Sequence, residues 1–369
     1  MEQVQPRSAL WNEFVTMNTK MTLMAAAIAA VSVNAVAADS LEEQVRVLSE
    51  RVQQLEQQTP TLAEGTSFNL YGSLRPTFNY LDDGDNGKWD VRDALSRVGI
   101  KAQTELSNGW VAIAQGEWSV DISNNGDFGK ARQAYVALAT PYGQLGVGKQ
   151  RPAQYTLVAE YVDIFNHGNS PFAYDAESPF FVDNFVTYKL QKQGFTLMAG
   201  AQINGDKGDD NADMVNVGVG YDLAGLHLGL GYVTQDRLDD SNQVVGDDQT
   251  IGGVVAYSFD NGLYLAAAYQ DKDYNLDNGV DRSGSTLDTA LAYPFADQYK
   301  VKLGYFIFED GVKDNSSKDY DGYNTTLEWN AADNLRFHVE YLVKDFDYSD
   351  KDTSIAVGMR YDFDLGWNF

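Results

Sequence analysis

The chain has no cysteine among its 369 residues, which removes disulfides and thiolate metal sites from consideration. Histidine is almost as scarce. His167, His227 and His338 are scattered, with none of the Ser-His or Asp-His constellations a hydrolase needs, so no catalytic residue is assigned and the chain is not read as an enzyme. Positive charge is in short supply: 27 Lys and Arg against 53 Asp and Glu leave a net charge of −26. That balance argues against nucleic acid or any other partner that relies on a basic surface. Long apolar runs are also missing. Beyond residue 38 no stretch approaches the ~20 consecutive apolar residues of a membrane-spanning helix. Asp271-Lys272-Asp273-Tyr274-Asn275 is like the start of a calcium loop, but Leu276 stands where glycine is needed and Arg282 where glutamate is needed. Neither a metal nor a cofactor is expected.

What the chain does have is alternation. Over the last fifteen residues Ile355, Val357, Met359, Tyr361, Phe363, Leu365, Trp367 and Phe369 are apolar, with Arg360, Asp362, Asp364 and Asn368 between them. Side chains on a strand point to opposite faces with period two, so the segment has one greasy side and one wet side. Similar segments recur upstream, which is the pattern of a transmembrane β-barrel. A mean hydropathy of −0.36 is compatible with this, because half of each barrel strand faces a polar interior.

The N-terminal segments read differently. Lys20, the apolar run from Met21 to Val33 and Ala35-Val36-Ala37-Ala38 form the three regions of a secretory signal peptide, cut after Ala37 or Ala38. Residues 1–16, with Glu2, Trp11 and Glu13, lack that character and are read as an upstream extension, leaving 17–38 as the signal peptide. Cleavage removes two cations (Arg7, Lys20) and two anions (Glu2, Glu13), so the exported chain keeps its charge of −26. Residues 39–65 are expected to be a periplasmic coiled-coil segment and linker. Leu41, Val45, Leu48, Val52 and Leu55 follow 4-3-4-3 spacing, with Val at a and Leu at d, a choice that leans towards two strands. Thr59-Pro60 ends the helix.

From residue 66 to 369 the sequence predicts sixteen strands: 66–81, 94–106, 110–120, 131–140, 144–151, 180–190, 195–203, 213–223, 226–235, 249–259, 263–271, 285–294, 298–309, 320–330, 334–345 and 353–363. Seven connections are short and turn-like, among them Ser107-Asn108-Gly109, Gln193-Gly194 and Ala224-Gly225. The other eight are longer and mostly rich in Asp, Asn and Gly. Short turns on one side and long loops on the other fit a barrel with both termini in the periplasm. Charges keep to one phase: Leu226, Leu228, Leu230 and Tyr232 should face lipid, as should Tyr299, Val301, Leu303, Tyr305 and Ile307, and Leu335, Phe337, Val339, Tyr341 and Val343. Lys300, Lys302, Arg336, His338 and Glu340 take the lumen phase. A cation at mid-membrane on the lipid face would cost about 2–4 kcal/mol, so this sorting is what a lumen requires.

Several segments carry a resemblance to a known family: Leu70-Tyr71-Gly72; Ser96-Arg97-Val98-Gly99-Ile100; Arg132-Gln133-Ala134-Tyr135-Val136-Ala137-Leu138 followed by Gly143 to Gln150; Asn184-Phe185-Val186-Thr187-Tyr188; and Val357 to Phe363. In this order and spacing, over residues 66–369, the chain resembles the trimeric general porins of Gram-negative outer membranes. The resemblance implies a 16-stranded antiparallel transmembrane β-barrel with an inward-folded third loop. It also implies a homotrimer in lipid and lipopolysaccharide, placed by the barrel-insertion machinery and passing ions and small hydrophilic solutes. The third loop, about 152–179, would narrow the pore. Its acids Glu160, Asp163, Asp175 and Glu177 would face Arg97 and Arg132, which match the family motifs, and Arg75, assigned from its lumen phase.

Two departures matter. Where such porins often carry a wall arginine, this chain has Phe180 and Phe181, and Phe185 replaces the usual serine, so a weaker basic side and a preference for cations are expected. The family's terminal aromatic aligns with Phe363, yet the same phase continues to Phe369; Phe369, Phe363 and Tyr361 are the candidates for the insertion signal. The alternative function is a saccharide-type channel in which Tyr161, Phe165, Phe172 and Tyr174 of the third loop stack against sugar faces.

Overall fold

A computed structural model describes residues 65–84, 87–124, 126–166, 172–176, 178–205, 212–277, 281–312 and 318–369. The upstream extension, the signal peptide and the coiled-coil seam expected at Leu41, Val45, Leu48, Val52 and Leu55 lie outside the described residues.

The described chain is one closed antiparallel sheet of sixteen strands, the first two of which are each interrupted once. In chain order they are β1 (Thr66–Leu74 and Pro76–Asp82), β2 (Lys88–Asp93 and Arg97–Glu105), β3 (Val111–Val120), β4 (Phe128–Thr140), β5 (Gly143–Gln150), β6 (Val182–Lys192), β7 (Phe195–Gln202) and β8 (Met214–Leu223). They continue as β9 (Leu226–Leu238), β10 (Val244–Ser258), β11 (Tyr264–Leu276), β12 (Arg282–Phe295), β13 (Tyr299–Glu309), β14 (Tyr320–Ala332), β15 (Leu335–Phe346) and β16 (Asp352–Asn368). Each strand pairs with its neighbour in sequence, and β16 closes on β1 from Ser67↔Asn368 to Leu74↔Tyr361. Closure leaves no unpaired sheet edge, the condition for strands to cross lipid.

The seven short turns fall where the sequence placed them. At Gln193-Gly194 and Ala224-Gly225 all four residues have positive φ, between 46° and 86°, the backbone of the hairpin turn that matches strand twist. On the opposite side the strands run further than predicted. β10 begins at Val244 and β11 ends at Leu276, with Gly246 paired to Leu276, because acidic segments that carry no apolar alternation still complete ladder hydrogen bonds. β16 runs past Phe363 to Asn368, and the Gly65 N–H donates to the Phe369 carbonyl at 3.0 Å, so the last six residues belong to the seam.

The face assignment holds along most of its length. Leu228, Leu230, Leu303, Tyr305, Phe337, Val339 and Tyr341 are exposed on the outside, while His227, Lys302, His338 and Glu340 are buried inside. The alternation lapses at Leu342 and Val343, both of which are buried. Inside the barrel the residues are covered because the long connection between β5 and β6 folds onto them.

Candidate functional site in the barrel lumen

After β5, the chain forms α1 (Ala153–Leu157), a 3₁₀ turn at Ala159–Tyr161 and a second at Ala173–Ala176 before β6 begins. A loop lying in the lumen needs space and partners for its polar groups, and the wall supplies both. Space comes from glycines on β8 and β9. A Cβ on Gly229 would lie 1.8 Å from the Leu157 carbonyl oxygen, and one on Gly218 3.0 Å from a Leu157 methyl, so α1 packs against bare backbone. Partners follow along the wall. Asn216 accepts the Ala153 N–H, and the Gln154 side chain donates to Gln270. His227 Nε2 lies 3.0 Å from the Leu157 carbonyl, with Nδ1 2.7 Å from Asp222, and the Tyr264 hydroxyl donates to the Tyr161 carbonyl at 2.5 Å. Further along, Lys302 Nζ donates to the Ile164 carbonyl at 2.7 Å and to Glu328 at 2.6 Å. Asn166 donates to Glu328 and Glu340 at 3.0 and 3.1 Å. Asp288 receives the N–H groups of Ala173 and Tyr174 at 2.7 and 3.2 Å. Phe165, Phe172, Tyr174, Phe306, Phe308 and Tyr320 form an aromatic core between loop and wall.

With the loop fastened across β8–β15, the open space lies on the other side. A cavity of about 480 Å³ is bounded by Arg75, Arg97, Arg132, Arg151, Lys302, Arg336 and Arg360 from the wall and by Glu160 and Asp163 from the loop. Local geometry turns these arginines inward. Arg75 sits in the break of β1, its N–H bonded to Ser96 Oγ at 2.7 Å, and Ala94 donates to the Arg75 carbonyl at 2.9 Å, so the breaks of β1 and β2 are adjacent. Such irregularities re-aim a side chain without opening the sheet. Glu117 pairs with Arg132 at 2.7 Å and reaches Arg97 at 4.0 Å; Asp362 pairs with Arg360 at 2.8 Å and Arg336 at 3.8 Å. Counting Glu117, Glu328 and Asp362 with the loop acids, seven cationic groups meet five carboxylates among the described residues.

The closed sixteen-stranded barrel agrees with three comparisons. The family model of Gram-negative porins matches residues 24–364. Outer membrane porin N of Escherichia coli K12 is 23% identical over 357 residues, 81% of this chain and 93% of that one. The anion-selective porin of Comamonas acidovorans superposes with a TM-score of 0.69 at 18% identity, covering 81% of this chain and all (100%) of that one; the trimer form of OmpT from Vibrio cholerae does so with 0.62 at 19%, again over 81% and 100%. The chain belongs to the Gram-negative porin family. It is therefore an outer-membrane, multi-pass β-barrel and a passive channel, not an enzyme.

Within the porin, Arg75, Arg97, Arg132, Glu160 and Asp163 all line this cavity. The side chain of Asp175 and all of Glu177 lie outside the described residues. Sequence reasoning missed Arg151, Lys302, Arg336 and Arg360 as cations of the cavity. Arg336 and Arg360 were legible as lumen-phase cations on the last strands, whereas Arg151 stands just beyond β5, where alternation stops carrying information. Arg151 also corrects the expected weak basic side: its guanidinium lies 4.1 Å from the Tyr155 ring centre and 4.8 Å from that of Phe181, and Arg132 lies 4.9 Å from Phe181. Phe181, one of the two phenylalanines at the expected wall-arginine position, thus holds two other arginines in place. Of the rings considered for sugar stacking, Phe165, Phe172 and Tyr174 are buried in the loop–wall core, and Tyr161 stacks on His227 with ring centres 3.4 Å apart.

Glu160 reaches pore water, yet protein surrounds it on several sides. The resulting desolvation raises its pKa above the usual carboxylate range, Arg151 opposes that rise and Asp163 adds to it.

Proposed function

We propose that the porin passes ions and small hydrophilic solutes by diffusion and that its narrowest section favours anions. The observation that carries this is the seven cations around the cavity, against two carboxylates lining it and three paired behind. It reverses the cation preference expected from net charge. The described acids of the loop tips, among them Asp121, Asp239, Asp247, Asp277 and Asp350, lie in the loops and strand ends on the long-loop side, away from the cavity lining. At ~0.1 M salt their field decays over about 10 Å, so charges at the narrowest point weigh most. Opposed charges across the gap also orient dipolar solutes without binding them. Of the rings of the saccharide reading, Phe165 borders the cavity but is almost fully buried, Phe172 and Tyr174 are buried and Tyr161 stacks on His227, which favours diffusion over sugar stacking.

The assembly is proposed to be a homotrimer, with residues 17–38 directing export, 39–65 tethering subunits through the periplasmic seam, and Phe369 serving as the insertion signal ahead of Phe363 and Tyr361. Support comes from the recorded trimer form of one neighbour and from the seam spacing. Liposome swelling with neutral sugars of rising size tests passive diffusion: entry should fall smoothly with size. Entry of one sugar out of that order would support a specific channel instead.

A further inference from the structure

The stretch of the third loop from Leu157 to Tyr161 rests at both ends on His227. The His227 Nε2 lies 3.0 Å from the Leu157 carbonyl oxygen, and the Tyr161 ring stacks on the imidazole with centres 3.4 Å apart. On its other side the ring sets Nδ1 2.7 Å from a carboxylate oxygen of Asp222. A carbonyl and a carboxylate only accept hydrogen bonds, so both ring nitrogens have to donate, which the doubly protonated imidazolium alone can do. A neutral ring has one N–H and would turn a lone pair against one of the two oxygens. The stacked Tyr161 ring favours the cation as well.

The surroundings fix which side supplies the proton. Titratable groups facing the ring are Asp222 on β8 and Tyr161 on the loop, with Glu160 beside Tyr161 and Tyr264 of β11 holding the Tyr161 carbonyl. From β10 the cross-strand neighbour is Ala256, and Gly220 of β8 closes on the ring, where a Cβ would lie 3.3 Å away. The imidazole is buried, but the Asp222 side chain is more than half exposed and stands two residues before the short Ala224-Gly225 turn. Short turns face the periplasm, so the outer hydrogen bond of the ring opens on that side. The segment held by the ring carries Glu160 into the lining of the constriction.

We propose that His227 is a positioning residue and a pH-dependent latch of the third loop: protonated, it holds Leu157 and Tyr161 and so sets Glu160 in the passage. Loss of its proton to periplasmic water removes one donor, so the fastening is strongest at acid pH and weakens as pH rises. The latch rests on the channel alone and not on which ion the channel prefers.

Single-channel records of the full chain in a planar bilayer, with pH changed in one chamber at a time, test it. Between ~pH 5.5 and ~pH 8 closing events are expected to become roughly tenfold more frequent, with one chamber acting more strongly than the other. His227→Gln should close often at both pH values. Because that variant also loses the stack on Tyr161, Asp222→Asn gives the independent check. An amide can donate to Nδ1, so a neutral ring keeps its Nε2–H on the Leu157 carbonyl, and closing should stay rare throughout. An unaltered pH response in Asp222→Asn would overturn the latch, because another group would be titrating. Closing events in the native chain that ignore pH would overturn it too. Ion preference is read from the reversal potential in the same records, so a potassium-signed potential would contradict the anion reading and leave the latch standing.

Discussion

Glu160 and Glu117 show how single carboxylates set the field of the pore. With its pKa raised by desolvation, Glu160 takes up a proton at a higher pH than an ordinary carboxylate. The remaining charge is then more positive. Anion preference should strengthen as pH falls into and just above the usual glutamate range, and Glu160→Gln should show that stronger preference already at neutral pH, with that step gone from the pH profile. An identical profile in the variant would show that another group titrates. Glu117 is buried and holds Arg132 and Arg97. Glu117→Gln is expected to raise anion preference and to lower barrel stability by about 1–3 kcal/mol, measured as the unfolding midpoint in denaturant. At this scale the sequence was partly legible. Arg97 and Arg132 followed from family motifs and Arg75 from parity, because a strand announces which face a residue takes. Arg151 could not be placed that way, because it lies where the strand has ended and only the loop's path decides where its side chain goes.

Among the elements, the third loop and the last strand carry the most testable structure. The loop is held by bonds from β8 through β15 rather than by its own short helices. Lys302→Met would leave Glu328 without its cation at 2.6 Å and free the Ile164 carbonyl. The expected cost is about 3 kcal/mol, and the expected readout is more frequent closing events in single-channel records. Gly229→Val should displace α1, because even a Cβ would clash with the Leu157 carbonyl, and conductance should change while the barrel still folds. Sequence periodicity found all sixteen strands and all seven short turns, because lipid on one side and water on the other enforce alternation. It stopped short at the long-loop ends, where neither environment applies, and it could not foresee a glycine surface made by residues from two different strands. The last strand gives a further check. A chain ending at Phe363 loses the β1 partners of Asp364 to Asn368. It is expected to lack the compact, heat-modifiable band of a closed barrel on gel electrophoresis; a normal band would show that the seam closes without them.

For the whole molecule, the net charge of −26 and the basic constriction are both real, and they act at different places. An acidic rim repels anions weakly from a distance, while the arginines act where the passage is narrowest. The preference proposed for the constriction is opposite to the sign of the net charge because composition weighs every residue equally, whereas screening makes distance from the permeating ion decide. The most direct test is the reversal potential of the full chain in a planar bilayer under a potassium chloride gradient at neutral pH. The account predicts open channels whose reversal potential has the sign of chloride preference and becomes stronger at acidic pH. A reversal potential of the potassium sign would contradict it.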